Sequence, residues 1–287
     1  MRSLDDNRLV KTFAEMRAAG GKALAPFITA GYPDLATTEA LLAEFARRGV
    51  RVCELGFPFS DPVADGPIIQ ASYTEALAAG VTSVKIFEMV RRFRAAGGDR
   101  IALLAMVSYS IVYRRGVRAF FAGASEAGFD GLIIPDLPLE EAGQVEALAV
   151  AAGLANVMLI APTTPPARRL RIAGHSRGFI YFISVAGITG ERNKLPTETI
   201  DAVADLRKHT GTPVCVGFGI ADARTVEEVC RAADGAIVGS AIVHRIQDAV
   251  SKGAPRDAIV RQIGEFIGEL LRPLGTGHLS DQSWNDE

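Results

Sequence analysis

Eight short apolar runs recur along the chain, and they alternate with longer amphipathic stretches. Near-continuous apolar runs are typical of parallel strands that helices cover on both faces. In the stretches between the runs, apolar residues return every three or four positions, which predicts helices with one buried face. The runs span residues 24–30, 50–57, 101–107, 131–135, 157–162, 178–184, 212–218 and 235–240. This alternation predicts an α/β fold with a parallel sheet.

Two architectures accommodate such an alternation: a closed (β/α)8 barrel and a doubly wound open sheet. The count of eight favours the barrel, as does the lack of a G-x-G-x-x-G turn after the first run. Amphipathic patterns also predict a helix before the first strand, at about 8–19, and another after the eighth helix, at about 256–271. We therefore predict a (β/α)8 TIM barrel with an additional N-terminal helix. It forms a single domain over residues 1–273, and a polar, disordered tail follows over 274–287.

Composition argues against several classes of function. The formal net charge of −2 and the lack of a basic block disfavour a nucleic-acid-binding surface. The run 101–113 is too short to span a bilayer, and the charged residues 1–12 do not resemble a signal peptide. Cys53 and Cys215 lie within apolar runs, and we expect reduced core thiols there rather than a disulfide or a metal site. The chain is therefore predicted to be soluble and cytoplasmic, with no metal site and no membrane contact.

Glu54 stands near the end of the second predicted strand, where the active sites of such barrels gather. Alternation places Val50 and Val52 on the same face as Glu54 and places Cys53 and Leu55 on the opposite face. If that opposite face packs beneath the helices, Glu54 points into the barrel mouth. Partial desolvation there raises the pKa of a carboxyl and suits it to proton transfer near neutral pH. The alternative is a structural ion pair with a basic residue of a neighbouring strand, although few such partners are present.

Asp61 and Asp65 lie in the loop that follows this strand. Pro67 suits the first position of a helix, which makes Gly66 the N-cap and leaves Asp65 just outside the helix. A catalytic role for Asp65 is therefore favoured over a capping role. Asp61 precedes a proline, and it is at least as well explained as a turn residue whose side chain bonds local backbone amides.

Glycine-bearing loops follow the last two predicted strands, with GFGI at 217–220 and GSA at 239–241. Loops at these two places often bind phosphate, because glycine lets backbone N–H groups approach the oxygens and a helix N-terminus favours negative charge. The glycine-bearing, charged segment 184–196 is predicted either as a lid over the substrate or as a plain solvated connection. His209 and His244 are expected on solvated helix faces. These features predict a phosphate-binding barrel with a two-carboxylate proton-transfer site and a substrate that is partly apolar or aromatic.

Several segments resemble the tryptophan synthase alpha chain family, most specifically ELGFPFSDPVADGP at 54–67. PFITAGYPD, IIPDLPLEE, ISVAGITG, GFGI and VGSAIV match as well, in register from about residue 20 to about residue 270. The resemblance implies the same barrel fold. It also implies a lyase that cleaves indole-3-glycerol phosphate to indole and glyceraldehyde 3-phosphate by a retro-aldol reaction, without metal or cofactor. In the family, indole then passes to a pyridoxal-phosphate-dependent beta chain within an α2β2 heterotetramer.

The resemblance also implies roles for individual positions. Glu54 matches the general acid–base that protonates indole C3 and assists deprotonation of the glycerol hydroxyl, and Asp65 matches the acid that faces the indole N–H. Substrate-binding positions of the family fall on Phe27, Tyr181, Thr189, Gly190, Gly217, Phe218, Gly219, Gly239 and Ser240. Positions at the interface with the beta chain fall on Pro58, Asp61 and Ser110. The chain departs from the family pattern at Ser108 and Ser110, where many members carry a tyrosine and an asparagine.

Two other functions stay open on the sequence alone. A different phosphate-binding barrel enzyme would need a lysine at a strand end, and no predicted strand ends in one. A mainly regulatory alpha-type subunit that activates a partner is disfavoured by the acids at 54 and 65. The serines at 108 and 110 keep this second alternative open.

Overall fold

The computed structural model describes residues 4–62, 65–184, 197–217 and 219–275. Thr189, Gly190, Phe218, most of the predicted lid and nearly all of the predicted tail lie outside these residues. The strands are β1 (Ala23–Thr29), β2 (Val52–Gly56), β3 (Ala102–Met106), β4 (Gly131–Ile133), β5 (Ala155–Val157), β6 (Leu159–Ile160), β7 (Ile180–Ile183), β8 (Val214–Gly217) and β9 (Gly235–Val238). The helices are α1 (Arg8–Ala18), α2 (Leu35–Arg47), α3 (Pro67–Ala78), α4 (Ser83–Ala95), α5 (Tyr109–Arg115), α6 (Val117–Ala127), α7 (Leu139–Ala151), α8 (Pro166–Gly174), α9 (Thr197–His209), α10 (Ala223–Ala232), α11 (Ser240–Ser251) and α12 (Arg256–Leu271).

The strands form one parallel sheet in the order β5-β4-β3-β2-β1-β9-β8-β7-β6. Met158 alone separates β5 from β6, so the two ends of this order are halves of a single strand. Backbone bonds join that strand to the segment around β7, since Arg177 N donates to Asn156 O at 2.8 Å and Tyr181 N donates to Met158 O at 3.0 Å. The sheet therefore closes on itself. The predicted (β/α)8 barrel is confirmed.

Strand residues divide between two hydrophobic clusters. Cys53 and Leu55 belong to the cluster between strands and helices, whereas Val52 belongs to the cluster that fills the barrel interior. The alternation expected around Glu54 is therefore confirmed within β2. It is wrong for Val50, which packs in the outer cluster. Val50 precedes the strand and follows Gly49, whose φ of 85° ends α2, so the strand period does not yet apply to it.

The additional helix α1 closes the end of the barrel at which the strands begin. Its Phe13 lies in the interior cluster and contacts Phe179, with ring centroids 5.4 Å apart. Asn7 caps α1, and its side-chain amide donates to Asp130 O at 2.7 Å and to Gly153 O at 2.9 Å, just before β4 and β5. Both predicted extra helices are present. With one end closed, the opposite end of the barrel is left for a functional site.

The cysteines bear out the expectation of reduced core thiols. Cys53 and Cys215 are buried and free, and so is Cys230. Within the part of the chain that the structure describes, none of the helices is both long enough and apolar enough to cross a membrane.

Candidate active site

Glu54 is the most buried acid of the barrel mouth. It sits on β2 between Phe27 of β1 and Leu104 of β3, and its side chain is 0% exposed. Neither carboxyl oxygen has a hydrogen-bond partner among the described residues. Burial therefore raises the pKa of Glu54 well above its ordinary value of 4.5. The alternative of a structural ion pair is wrong for the described part of the chain, and burial favours the protonated form of the carboxyl.

Asp65 lies at the start of α3 without capping it. Gly66 is the N-cap, it makes no side-chain capping bond, and Pro67 opens the helix, as predicted. Gln70 Nε2 donates to the backbone oxygen of Asp65 at 2.7 Å and fixes the end of the loop. The Asp65 carboxyl does not cap the helix, because the N-cap is Gly66. Partial burial raises the pKa of Asp65 from 3.8 to about 6. Asp65 is therefore mostly ionised at neutral pH, whereas burial favours the protonated form of Glu54.

A cavity of about 330 Å³ opens at the carboxyl ends of the strands. That volume falls in the range typical of small-molecule sites. Its wall is mainly apolar, with one acid and the glycine-bearing loops after β8 and β9. The structure brings together at this cavity the predicted site residues Phe27, Asp65, Tyr181, Gly219, Gly239 and Ser240. Glu54 is buried next to Phe27, its register partner on β1.

Glycines at two strand ends admit tyrosine hydroxyls into the mouth. A Cβ at Gly217 would overlap the hydroxyl of Tyr181. A Cβ at Gly56 would overlap the Phe27 ring and come within 2.7 Å of the Tyr73 hydroxyl. Burial raises the pKa of both tyrosines, and Glu54 and Asp65 raise it further in their ionised forms. Sequence reasoning missed Tyr73, because its helical spacing marks it only as a core residue.

The loops after β8 and β9 form the polar part of the cavity. Gly219 has a φ of 73°, a conformation that glycine adopts without strain, and Gly239 is the N-cap of α11 without a side-chain bond. Ser240 begins that helix and lines the cavity, so the N-terminus of α11 borders the cavity, as an anion site would require. His244 and Arg245 also line the cavity. The exposed helix face predicted for His244 is confirmed, but its helix position did not predict that His244 lines the cavity, and Arg245 was not predicted there either. The spacing of His244 four residues after Ser240 was the available signal.

A second cavity, of about 230 Å³, adjoins the first and shares Asp65 and Met106 with it. Two of the three residues predicted at the partner interface, Asp61 and Ser110, are exposed and line this second cavity. Pro58, the third, is buried within the chain. The rim next to the acids is thus open to a neighbouring molecule at Asp61 and Ser110.

The serines that depart from the family pattern have a local structural role. Ser108 is the N-cap of α5, and its hydroxyl accepts from Ser110 N at 3.2 Å and donates to Asp136 Oδ2 at 2.8 Å. Asp136 Oδ1 accepts from Tyr109 N at 2.8 Å. Asp136, which follows β4, therefore orients the loop after β3.

The family model of the tryptophan synthase alpha chain matches residues 13–267. The chain belongs to the tryptophan synthase alpha chain family. Alpha chains from Rhodopirellula baltica and Geobacter sulfurreducens are 42% and 41% identical to it, over 93% and 94% of this chain and 98% and 99% of theirs. The solved alpha subunit of Legionella pneumophila str. Paris is 31% identical, with a TM-score of 0.85 over 94% of this chain and 99% of that one. A structure of Mycobacterium tuberculosis tryptophan synthase is 31% identical, with a TM-score of 0.82 over 96% and 99%.

Membership of this family decides between the functions that the sequence left open. The chain is a lyase of the alpha reaction of tryptophan biosynthesis, which acts on indole-3-glycerol phosphate. The barrel neighbours agree with that assignment, because they cover nearly the whole chain and are tryptophan synthase structures themselves.

Proposed function

We propose that Glu54 and Asp65 divide the proton chemistry of the alpha reaction between them. The observation that carries the proposal is the burial of the Glu54 carboxyl, without a bonding partner among the described residues, on the strand next to the cavity-lining Phe27. A carboxyl in that state holds its proton near neutral pH and can donate it. Asp65, with a pKa of about 6, is ionised at the same pH and can stabilise positive charge. Environments that separate two acids in this way are typical of acid–base pairs.

The reaction then proceeds in two steps, protonation of the indole ring and cleavage of the carbon–carbon bond. Glu54 donates its proton to indole C3, which leaves a positive charge shared with the ring N–H, and the Asp65 carboxylate stabilises that charge. The Glu54 carboxylate next accepts the proton of the glycerol hydroxyl adjacent to the scissile bond. The oxygen becomes the aldehyde of glyceraldehyde 3-phosphate, the carbon–carbon bond breaks, and its electron pair returns to the indole ring. Glu54 ends the cycle protonated, as it began.

The cavity suits the two ends of this substrate. Phe27 and Tyr181 provide aromatic and apolar wall for indole, next to the two acids. The phosphate would bind at the loops of Gly217, Gly219, Gly239 and Ser240, where backbone N–H groups and the N-terminus of α11 offer hydrogen-bond donors. Thr189, Gly190 and Phe218, which lie outside the described residues, stay predictions from the resemblance.

The partner in this proposal is a tryptophan synthase beta chain, in an α2β2 assembly of the cytoplasm. The solved relative from M. tuberculosis is a tryptophan synthase, and the exposed rim at Asp61 and Ser110 adjoins the reaction cavity. Pyridoxal phosphate would belong to the beta chain, since the two acids supply the proton transfers of the alpha reaction. Indole released at Asp65 would leave through this rim.

Release of indole from indole-3-glycerol phosphate tests the roles of the acids. Glu54→Gln keeps the shape of the side chain and removes the proton, so turnover should fall by roughly 10²–10⁴-fold. Glu88→Gln is the matched control, because Glu88 is exposed on α4, and it should leave turnover unchanged. A folded Glu54→Gln protein with wild-type turnover, with or without beta chain, would contradict the proposed mechanism.

Mixing the chain with a beta chain tests the partner. We expect the mass of a four-chain complex by light scattering and a faster alpha reaction than the isolated chain shows. Asp61→Ala should weaken complex formation and leave the unfolding temperature of the isolated chain unchanged, because its side chain is exposed at the rim. If no complex forms at high concentration of both chains, the proposed partner is wrong.

A further inference from the structure

We infer that His244 binds the phosphate group of the substrate directly, as a side-chain ligand beside the backbone donors of the glycine loops. The inference rests on the proposed function and adds a residue to the same site. His244 and Ser240 both contribute to the wall of the cavity.

The position of His244 on α11 keeps its side chain within reach of the phosphate loop. Ser240 is the first residue of α11 and His244 follows four residues later, so both stand on one face of the helix. In this structure the ring lies beside Asp248, and because side chains of a helix tilt toward its N-terminus, a change of rotamer brings the imidazole toward Ser240. The ring and the N-terminus of α11 border the same cavity.

The imidazole is available to a ligand. Its side chain is 54% exposed, and its Nε2 lies 3.8 Å from Oδ1 of the neighbouring acid Asp248. That separation exceeds a hydrogen bond, so the ring can turn to an incoming anion. Either ring nitrogen can donate an N–H to a phosphate oxygen in the neutral form, and both can in the charged form.

Arg245, the arginine of this wall, is engaged elsewhere. Its guanidinium carbon lies 3.6 Å from the centroid of the Phe266 ring, and Nη1 donates to Ala241 O at 3.0 Å. These contacts hold Arg245 against α12. Its charge adds positive potential at the cavity without a direct bond to the phosphate. Among the described residues of this wall, His244 is therefore the nitrogen-bearing side chain that is left to donate to the phosphate.

The test is a titration of the folded chain with inorganic phosphate and with glyceraldehyde 3-phosphate, followed by ³¹P NMR. His244→Ala should raise both dissociation constants by roughly 3- to 10-fold, the range for losing one exposed hydrogen bond to an anion. His244→Lys should restore most of the affinity, because an ammonium also donates to phosphate. Asp248→Asn should leave binding unchanged or tighten it, since it removes the acid beside the ring.

Steady-state kinetics provide a second readout. A ligand of the non-reacting phosphate raises KM for indole-3-glycerol phosphate and leaves kcat nearly unchanged, because it binds ground and transition states alike. The matched control is His209→Ala, an exposed histidine on α9 that should change neither constant.

The outcomes separate the inference from the proposed function. Equal phosphate affinity of the wild type and His244→Ala overturns the role of His244, even where indole release proceeds normally. A loss of kcat at unchanged KM and unchanged phosphate affinity would also overturn it. A wild-type chain that binds phosphate through His244 and releases no indole with a beta chain present would instead contradict the proposed function.

Discussion

The buried carboxyl of Glu54 should make the stability of the chain fall as pH rises, and replacing it with glutamine should remove that dependence. Below about pH 4.5, its ordinary pKa, the carboxyl is protonated in both the folded and the unfolded chain. Above that pH the unfolded chain loses the proton, while the fully buried native carboxyl keeps it. The native state then binds one proton more than the unfolded state. The free energy of unfolding therefore falls by about 1.4 kcal/mol per pH unit, until the pH reaches the raised native pKa.

Glutamine at position 54 does not titrate, so the two proteins should diverge as the pH increases. Above about pH 5, the difference in the free energy of unfolding, Glu54→Gln minus wild type, should grow by about 1.4 kcal/mol per pH unit in favour of glutamine, until the pH reaches the raised native pKa of Glu54. Urea unfolding at a series of pH values measures it. The difference for Glu88→Gln, on the surface of α4, should stay constant over the same series. A constant difference for Glu54→Gln as well would refute the reasoning, because it would show that the native carboxyl is ionised throughout.

Three further predictions concern the second acid, the strand-end glycine and the closed end of the barrel. In the pH profile of indole release, kcat/KM should rise through about pH 6 as Asp65 ionises, and Asp65→Asn should lower kcat/KM and abolish this acidic limb. Gly217→Ala should lower the free energy of unfolding by about 1–3 kcal/mol in urea, because the new Cβ overlaps the Tyr181 hydroxyl; adding Tyr181→Phe should restore part of the loss. Asp130→Asn should cost about 3–5 kcal/mol, since Asp130 is nearly buried and pairs with Arg94, whereas Asp99→Asn on the surface should cost less than about 1 kcal/mol.

Much of the fold was predictable because its signals are local. The apolar runs and the three- to four-residue spacing between them indicate strands and helices independently of the rest of the chain. Their number indicated the barrel, which the pairing of β5 and β6 with their neighbours completes. The failure at Val50 has a local cause as well. The period of a strand was extended two residues into the turn after α2, where Gly49 redirects the chain.

The candidate site was predictable in part. Glu54 and Asp65 stand out in the sequence because strand alternation and a proline at the first helical position act within a few residues of each acid. Tyr73 and His244 do not stand out, because their places at the site depend on residues that are distant in the sequence. Tyr73 reaches the mouth only because Gly56 leaves room for its hydroxyl. His244 lines the cavity only because α11 packs beside α3, where Gln247 Nε2 donates to Ile68 O across 179 positions of sequence at 3.1 Å.

The sequence by itself determined the order of strands and helices, the face on which Glu54 lies and the release of Asp65 from capping. Each of these follows from the stereochemistry of neighbouring residues. The tertiary structure alone decided that Glu54 is fully desolvated without a bonding partner among the described residues, while Asp65 stays partly solvated. Closure of the barrel shields the Glu54 carboxyl from solvent and leaves the Asp65 carboxyl partly exposed. Because the energy of a charge depends on its whole surroundings, two acids eleven positions apart acquire different protonation states only in the folded chain.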